Sequence, residues 1–86
     1  ADILYMEGQG DYVRFFFRGK KLVVHGTLKK LADALPTETF MRVHKSYVIN
    51  LRQISFIEGN QVRIGEEAVP VSPAQREELL ERFSSL

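Results

Sequence analysis

The sequence has 86 residues and 44% of them are hydrophobic, so we expect residues 1–86 to form one domain around a single core. It contains no cysteine, which excludes disulfide bonds and thiolate metal sites. Its apolar runs are far shorter than the roughly 20 residues that cross a bilayer, and no signal peptide opens the chain. We therefore expect a cytoplasmic domain, and the strand-like run that begins abruptly at Ile3 predicts a longer parent protein.

Charge is distributed unevenly along the chain, although the net charge is only +1. Residues 1–11 carry three acidic side chains and no basic one, and residues 53–86 carry six Glu against three Arg. Residues 12–52 carry nine Lys or Arg against two acidic residues. Such a basic segment suits a polyanionic partner, but lysines also protect exposed sheet edges against aggregation. Charge alone leaves both interpretations open.

The first half of the chain predicts three strands and a helix. The strands are predicted at Ile3–Met6, Tyr12–Arg18 and Lys21–His25, with turns at residues 8–11 and 19–20. The middle strand alternates with a period of two, which places Val13, Phe15 and Phe17 on the core side and Tyr12, Arg14, Phe16 and Arg18 on the other side. Thr27 is suited to cap a short amphipathic helix that Pro36 ends.

The second half continues with short strands and closes with a helix. Strands are predicted within the dense stretch Phe40–Leu51 and at Ile54–Ile57, Gln61–Ile64 and Ala68–Val71, where Pro70 favours an edge position. Ser72 as N-cap, Pro73 at the first helical position and Gln75 three residues after the cap predict a helix with a capping box. The predicted fold class is mostly β, with antiparallel sheets of about seven or more short strands, a short mid-chain helix and a C-terminal helix.

Catalysis has little support in the sequence. The only histidines are His25 and His44, and no metalloprotease, nucleophile-elbow or phosphate-loop motif occurs. The acidic pair at residues 66–67 falls in a predicted turn, where a solvated tip is the simpler interpretation. We therefore predict a protein that is not an enzyme and that uses neither a cofactor nor a metal ion.

The stretch Phe40–Leu51 has an unusual pattern, because four polar or cationic residues lie between two apolar anchors. These four are Arg42, His44, Lys45 and Ser46. Lysine is almost never fully buried, so Lys45 must face solvent or a ligand. His44 and Ser46 have an alternative role in satisfying backbone groups, and Arg42 has one in pairing with Glu38 or Asp33.

This stretch resembles the signature of the LytTR family of DNA-binding domains. The matching residues are Phe40-x-Arg42-Val43-His44-Lys45-Ser46-Tyr47-Val48-Ile49-Asn50. The flanks agree in order: residues 3–7 and 10–13 resemble the opening strand and loop, residues 27–31 the short helix, and residues 54–57 and 69–72 the later strands. The resemblance covers nearly the whole chain without a large insertion.

The resemblance implies the output domain of a bacterial transcriptional regulator, in particular of a two-component response regulator. Such a domain has a predominantly β fold without a helix-turn-helix and follows a receiver or a membrane sensor domain. It is expected to bind double-stranded DNA at promoter direct repeats through loops, without contacting a membrane, and to dimerise on DNA.

The resemblance also implies three recognition positions. The first lies in the loop before the second strand, at Asp11 and Tyr12. The second is Lys45, with Arg42, His44 and Ser46 around it. The third follows the last strand, where the family places a basic residue after the serine. This chain has Pro73-Ala74 there, so the substitutes we predict are the helix start at Ser72, with Gln75, and the side chain of Arg76.

Other basic residues are candidates for sequence-independent phosphate contacts, which dominate affinity but carry no base information. They are Arg14, Arg18, Lys20, Lys21, Lys29, Lys30 and Arg52. Two alternative functions remain open at this point. One is a small β-barrel that binds single-stranded nucleic acid through exposed Tyr12 and Phe16 beside Arg14 and Arg18. The other is a protein-interaction module whose basic stripe docks an acidic partner.

Overall fold

The structure is a computed structural model that describes residues 3–86, so the acidic Asp2 counted above lies outside the described residues. It contains two antiparallel sheets, two α-helices and one 3₁₀ turn. In chain order these are β1 (Tyr5–Gln9), β2 (Tyr12–Phe17), β3 (Lys20–His25), α1 (Leu28–Asp33), β4 (Phe40–His44), β5 (Tyr47–Asn50), the 3₁₀ turn (Leu51–Gln53), β6 (Ile54–Glu58), β7 (Gln61–Ile64), β8 (Glu67–Pro70) and α2 (Pro73–Ser84). The predicted fold class, mostly β with a short and a terminal helix, is confirmed.

The first sheet has five strands in the order β3-β2-β1-β5-β4. Its centre is β1, which pairs with β2 through Tyr5↔Phe16 and with β5 through Tyr5↔Ile49. The hairpins β2–β3 and β4–β5 extend the sheet on either side. The sheet is therefore open, with β3 and β4 at its edges, and it does not close into a barrel.

The predicted loop at residues 8–11 is wrong for Gly8 and Gln9. Strand β1 continues through both residues, since Gly8 pairs with Val13 and its backbone N–H donates to the carbonyl of Ser46 at 2.8 Å. A Cβ at position 8 would lie 3.0 Å from the Cβ of Leu28. This glycine therefore leaves room for α1 to pack against the sheet, and the turn itself is confined to Gly10 and Asp11.

Both faces of the first sheet bury apolar side chains. On one face α1 inserts Leu28 against Met6, Val13 and Val48, which are all buried. The Thr27 hydroxyl accepts the backbone N–H of Lys30 at 3.3 Å, which confirms the predicted N-cap. On the other face Tyr5, Met41, Val43 and Ile49 pack against the second sheet and α2, which contribute Val62, Ile64, Val69 and Leu79.

Phe16 does not lie on a solvent-facing basic surface as the alternation predicted. Its ring stacks on Tyr5 with centroids 4.4 Å apart and planes 13° apart, and it packs against the core beneath the second sheet. The reason is tertiary: both faces of β2 are covered near β1, so a period of two along the strand does not separate core from solvent there. Tyr12, at the start of β2, remains 54% exposed.

The second sheet has the order β6-β7-β8, which confirms the edge position predicted from Pro70. The chain then enters α2 with Pro73 in the first turn and Ser72 as the N-cap residue. The predicted capping box is wrong, since the side chain of Ser72 makes no capping hydrogen bond. The backbone N–H of Ser72 donates instead to the carbonyl of Val43 at 2.7 Å, which attaches the helix start to β4.

Candidate nucleic-acid interface

Four chain connections and the start of α2 lie at one end of the molecule. Strand pairing places the β1–β2 turn (residues 10–11), the β3–α1 connection (residues 26–27) and the β4–β5 turn (residues 45–46) at the same end of the first sheet. The bond from Ser72 to Val43 brings in the start of α2. The backbone N–H of Val71 donates to Asn60 at 2.8 Å, which adds the β6–β7 turn (residues 59–60). We call this set the loop end.

The β4–β5 turn carries Lys45, whose side chain is exposed, as predicted. The guanidinium of Arg42 donates to the carbonyl oxygens of His44 and Lys45. The imidazole Nδ1 of His44 accepts the backbone N–H of Ser46 at 3.1 Å. Arg42 and His44 thus hold the backbone on which Lys45 projects. The predicted alternative that pairs Arg42 with Glu38 or Asp33 is wrong.

Next to this turn lies a shallow cleft with a volume of about 320 Å³. Lys45, Ser46 and Arg42 line one side of it, and Thr27 and Lys29 line the other. Lys29 also pairs with Asp33 one turn along α1, with Nζ and Oδ2 3.1 Å apart. The cleft therefore brings together the β4–β5 turn and the β3–α1 connection, two segments that are separated by most of α1 and β4 in sequence.

Asp11 and Tyr12 lie at the same end, and both are exposed. The carbonyl of Asp11 accepts the backbone N–H of Gly26 at 2.7 Å, which fixes the β1–β2 turn against the β3–α1 connection. The ring of Tyr12 meets the ring of His25 edge-on, with centroids 5.2 Å apart. The first predicted recognition position is therefore a rigid turn with an accessible aromatic ring beside it.

The start of α2 offers fewer free backbone donors than predicted. Ser72 donates its N–H to Val43, Pro73 has none, and Gln75 donates its N–H to the carbonyl of Ser72 at 2.9 Å. The side chain of Arg76 donates from Nε to the carbonyl of Gly59 at 2.8 Å. Gln75 and Arg76 therefore lie at the loop end, and Arg76 connects the helix to the β6–β7 turn.

A family model of the LytTr DNA-binding domain matches residues 1–84. The chain belongs to this family. Among solved structures, it is similar to the LytTr DNA-binding domain of a Bacillus cereus protein assigned as a methyl-accepting/DNA response regulator, with a TM-score of 0.84 and 19% identity over 95% of this chain and 81% of that one. At this identity the likeness concerns the fold. No curated protein matches the chain.

Not every basic residue of this LytTr domain lies at the loop end. Arg18, Lys20, Lys21 and Arg52 lie at the opposite end of the first sheet, because Phe17 pairs with Lys20 there while Tyr12 pairs with His25. The guanidinium of Arg18 donates to the side chain of Gln53 at 3.1 Å. We call this region the far end; it comprises the β2–β3 turn, the 3₁₀ turn and the β7–β8 turn at residues 65–66. The structure does not bring these four residues together with Lys45.

Arg14 lies between the two ends, on the face of the LytTr sheet that bears Tyr5. Its guanidinium contacts the carboxylate of Glu7 at 3.4 Å and donates to the side-chain oxygen of Gln9. The other carboxylate oxygen of Glu7 accepts the hydroxyl of Tyr47 at 3.0 Å. Burial and this hydrogen bond raise the pKa of Tyr47. Glu7 thus links the first residue after the Lys45 turn to the neighbouring strand.

The sequence prediction missed two residues of the loop end of this LytTr domain. Thr27 was assigned only a capping role, yet it lines the cleft opposite Lys45. Asn60 is predicted only as part of a turn, yet its carbonyl accepts the backbone N–H of Val71, which places that turn beside the start of α2. The missing signal was long-range pairing between strands, which a single sequence does not display. Among residues 3–86, no group of three or more His, Asp or Glu is placed to hold a metal ion, and no helix is both long and apolar enough to cross a membrane.

Proposed function

We propose that this LytTr domain is the output domain of a bacterial two-component response regulator, and that it binds promoter direct repeats through its loop end. One observation carries the proposal: the three recognition positions implied by the resemblance, at residues 11–12, 45 and 72–76, converge on one end although they are far apart in sequence. In this proposal residues 1–86 act as one cytoplasmic binding module without catalysis or cofactor, joined to an upstream receiver or sensor domain, and two copies occupy the repeats.

The polar residues in and beside the β1–β2 and β4–β5 turns each have a proposed role. Lys45 donates to guanine or to a phosphate, since lysine pairs with the O6 and N7 atoms of guanine in the major groove. Tyr12 contacts the edge of the groove, and Asp11 accepts from a cytosine amino group. Ser46 donates to a phosphate. Arg42 and His44 act through the turn backbone that they hold.

Phosphate contacts are proposed for the basic residues of α1 that adjoin the loop end, namely Lys29 and Lys30. A duplex that lies across the loop end leaves the far end facing away, because the strands of the sheet separate the two ends. We therefore assign Arg18, Lys20, Lys21 and Arg52 to the solvated surface. Arg14 is already engaged by Glu7 and Gln9, so a phosphate contact there would require it to exchange partners.

The two alternative functions lose their supporting features. A platform for single-stranded nucleic acid needs several exposed rings on a basic surface, and the stacking of Phe16 on Tyr5 leaves Tyr12 alone on that face. A protein-docking stripe needs a continuous basic surface, and the basic residues are divided between the loop end and the far end. Duplex DNA fits the loop end better than either.

Selection of duplexes from a randomised library, followed by fluorescence anisotropy on the selected site, tests the proposal. We expect a site made of two repeats in the same orientation, a loss of affinity when either repeat is scrambled, and poor competition by single-stranded DNA. Selection of an inverted repeat, or equal binding of the single strand, would contradict the proposal. A salt series in the same assay separates phosphate contacts from base contacts.

A further inference from the structure

The β6–β7 turn belongs to the loop end, although it comes from the second sheet. Its neighbour is the segment that joins β8 to α2: Val71 donates to the carbonyl of Asn60, and Ser72 donates to the carbonyl of Val43. Val43 lies two residues before Lys45. A row of four segments therefore crosses one end of the domain: the β6–β7 turn, the start of α2, the β4–β5 turn and the β1–β2 turn.

The backbone of this turn is held at both of its central residues. Glu58 pairs with Gln61, so Gly59 and Asn60 form a two-residue hairpin turn. Gly59 has a φ of +59°, which glycine adopts without strain at the first central position of such a turn. Its carbonyl accepts the Nε of Arg76 at 2.8 Å, and the carbonyl of Asn60 accepts the N–H of Val71 at 2.8 Å. The exposed side chain of Asn60 thus projects from a preorganised backbone.

We propose that Asn60 is a further base-contacting residue, and that Arg76 is the positioning residue that holds its turn. The inference rests on the proposed function, since it requires duplex DNA across the loop end. The asparagine amide donates and accepts at once, which suits bidentate pairing with the N6 and N7 atoms of adenine in the major groove. Neighbouring Glu58 repels phosphate, so a neutral side chain that reads a base edge suits this position better than a backbone contact.

The same proposal accounts for the absence of a basic residue directly after Ser72. Pro73 and Ala74 have no polar side chain there, and the first cationic group of α2 is Arg76. The Nε of Arg76 donates to the carbonyl of Gly59, the residue before Asn60, so Arg76 acts through the turn that carries Asn60. A bond of this kind orders the turn before DNA arrives, and preorganisation lowers the entropic cost of binding.

Asn60→Ala tests the base contact, with Glu66→Ala as the matched control on the far-end turn of the same sheet. Binding of the selected duplex and of its single-base variants is measured for both proteins. We expect Asn60→Ala to lose roughly tenfold of the discrimination at one base pair, the effect of one bidentate contact, and Glu66→Ala to discriminate like the wild type. Equal weakening on all duplexes, or unchanged discrimination, would overturn the proposal.

Arg76→Ala and the double variant test the positioning role. We expect Arg76→Ala to lose discrimination at the same base pair as Asn60→Ala, and the double variant to lose no more than the single ones, because coupled residues are not additive. Thermal unfolding verifies that the variants are folded. Additive losses, or a loss at another base pair, would show that Arg76 contacts DNA independently. If wild-type protein binds no duplex, the proposed function fails; if Lys45→Ala weakens binding and Asn60→Ala does not, only this inference fails.

Discussion

The loop end and the far end of this domain both carry basic side chains, but they differ in what those side chains do. At the loop end two arginines donate to backbone carbonyls. Arg42 donates to those of His44 and Lys45 beside the β4–β5 turn, and Arg76 donates to that of Gly59. At the far end Arg18 contacts the side chain of Gln53, and the ammonium of Lys20 lies 5.5 Å from the centre of the Phe17 ring. One arginine beside the far end, Arg63, also donates to a turn carbonyl, that of Glu66 at 3.3 Å, whereas Arg18 and Lys20 contact other side chains.

The groove at the far end and the cleft beside Lys45 also differ in their acidic neighbours. At the far end a groove of about 890 Å³ is lined by Lys20 and Lys21 on one wall and by Glu66 and Glu67 on the other, with Tyr5 at its base. Positive and negative groups face each other there, which weakens any attraction for a polyanion. In the cleft beside Lys45 the charged lining side chains are Lys29, Arg42 and Lys45, which are all cationic. In this domain the location of the charged residues therefore decides their use more than the number of charges does.

The largest expected effect is that of Lys45→Ala, with Arg52→Ala as the far-end control. Loss of a base contact weakens binding to the selected duplex by about 1–3 kcal/mol and relaxes preference at one base pair. Arg52 is also exposed, and its substitution should leave affinity unchanged. Anisotropy titrations on matched and single-base duplexes measure both.

Three outcomes would contradict part of this prediction. Uniform weakening by Lys45→Ala over all duplexes would make Lys45 a phosphate contact, and the turn would then position the protein without reading sequence. An equal loss from Arg52→Ala would mean that DNA reaches the far end. Unchanged binding by Lys45→Ala would exclude the β4–β5 turn from the interface.

A smaller effect is expected for Arg42→Ala, which removes the two bonds to the turn carbonyls. Each such hydrogen bond contributes about 0.5–1.5 kcal/mol net, and only part of this loss reaches DNA binding because Arg42 acts through Lys45. We expect binding to weaken severalfold and Arg42→Lys to rescue it incompletely, since one ammonium lacks the planar fork that reaches two carbonyls. If Arg42→Lys binds like the wild type, charge rather than turn geometry is the contribution of Arg42.

The sequence predicted the helices and strands of this domain better than the tertiary contacts between them. Thr27 as a cap, Pro70 on an edge strand and the exposed Lys45 follow from local chemistry and are confirmed. Gly8 was assigned to a loop because glycine is typical of turns, whereas its role depends on Leu28 in a helix 20 positions later. The position of Asn60 depends on two backbone hydrogen bonds made after β8, from Val71 to Asn60 and from Ser72 to Val43, which no local pattern records.

An alkaline titration of stability tests the core beneath the far end, because it follows the ionisation of Tyr5 there and not a contact of the loop end. Burial, and then the carboxylates of Glu67 and Glu7, raise the pKa of Tyr5 from 10.0 to about 12. The fold favours the protonated phenol, so this stabilisation is complete below pH 10 and is lost as the pH rises towards about 12. Tyr5→Phe should therefore flatten the alkaline loss of stability in chemical denaturation, and the raised pKa of Tyr47 contributes to the part that remains.

Tyr12→Phe, which alters an exposed ring at the loop end, is the control for that titration. Tyrosinate absorbance in the ultraviolet gives the ionisation curve, and denaturation at neutral pH and within the window gives the stability. Retention of the full alkaline loss by Tyr5→Phe would assign it to another group. Neutral-pH binding of the selected duplex by Tyr5→Phe should equal that of the wild type, because Tyr5 lies beneath the far-end groove.

The smallest effect is expected for the double substitution of Lys20 and Lys21 by alanine. Each phosphate contact contributes about 0.9 to the slope of log affinity against log salt, so the double variant would lower the slope by roughly two if both lysines touched DNA. We expect an unchanged slope, whereas Lys29→Ala, in the cleft beside Lys45, should lower it by about one. A lower slope for the double variant would mean that the duplex runs along the sheet rather than across its end. The row of turns would then be one border of a larger interface, and Lys45 and Asn60 would be contacts at its rim.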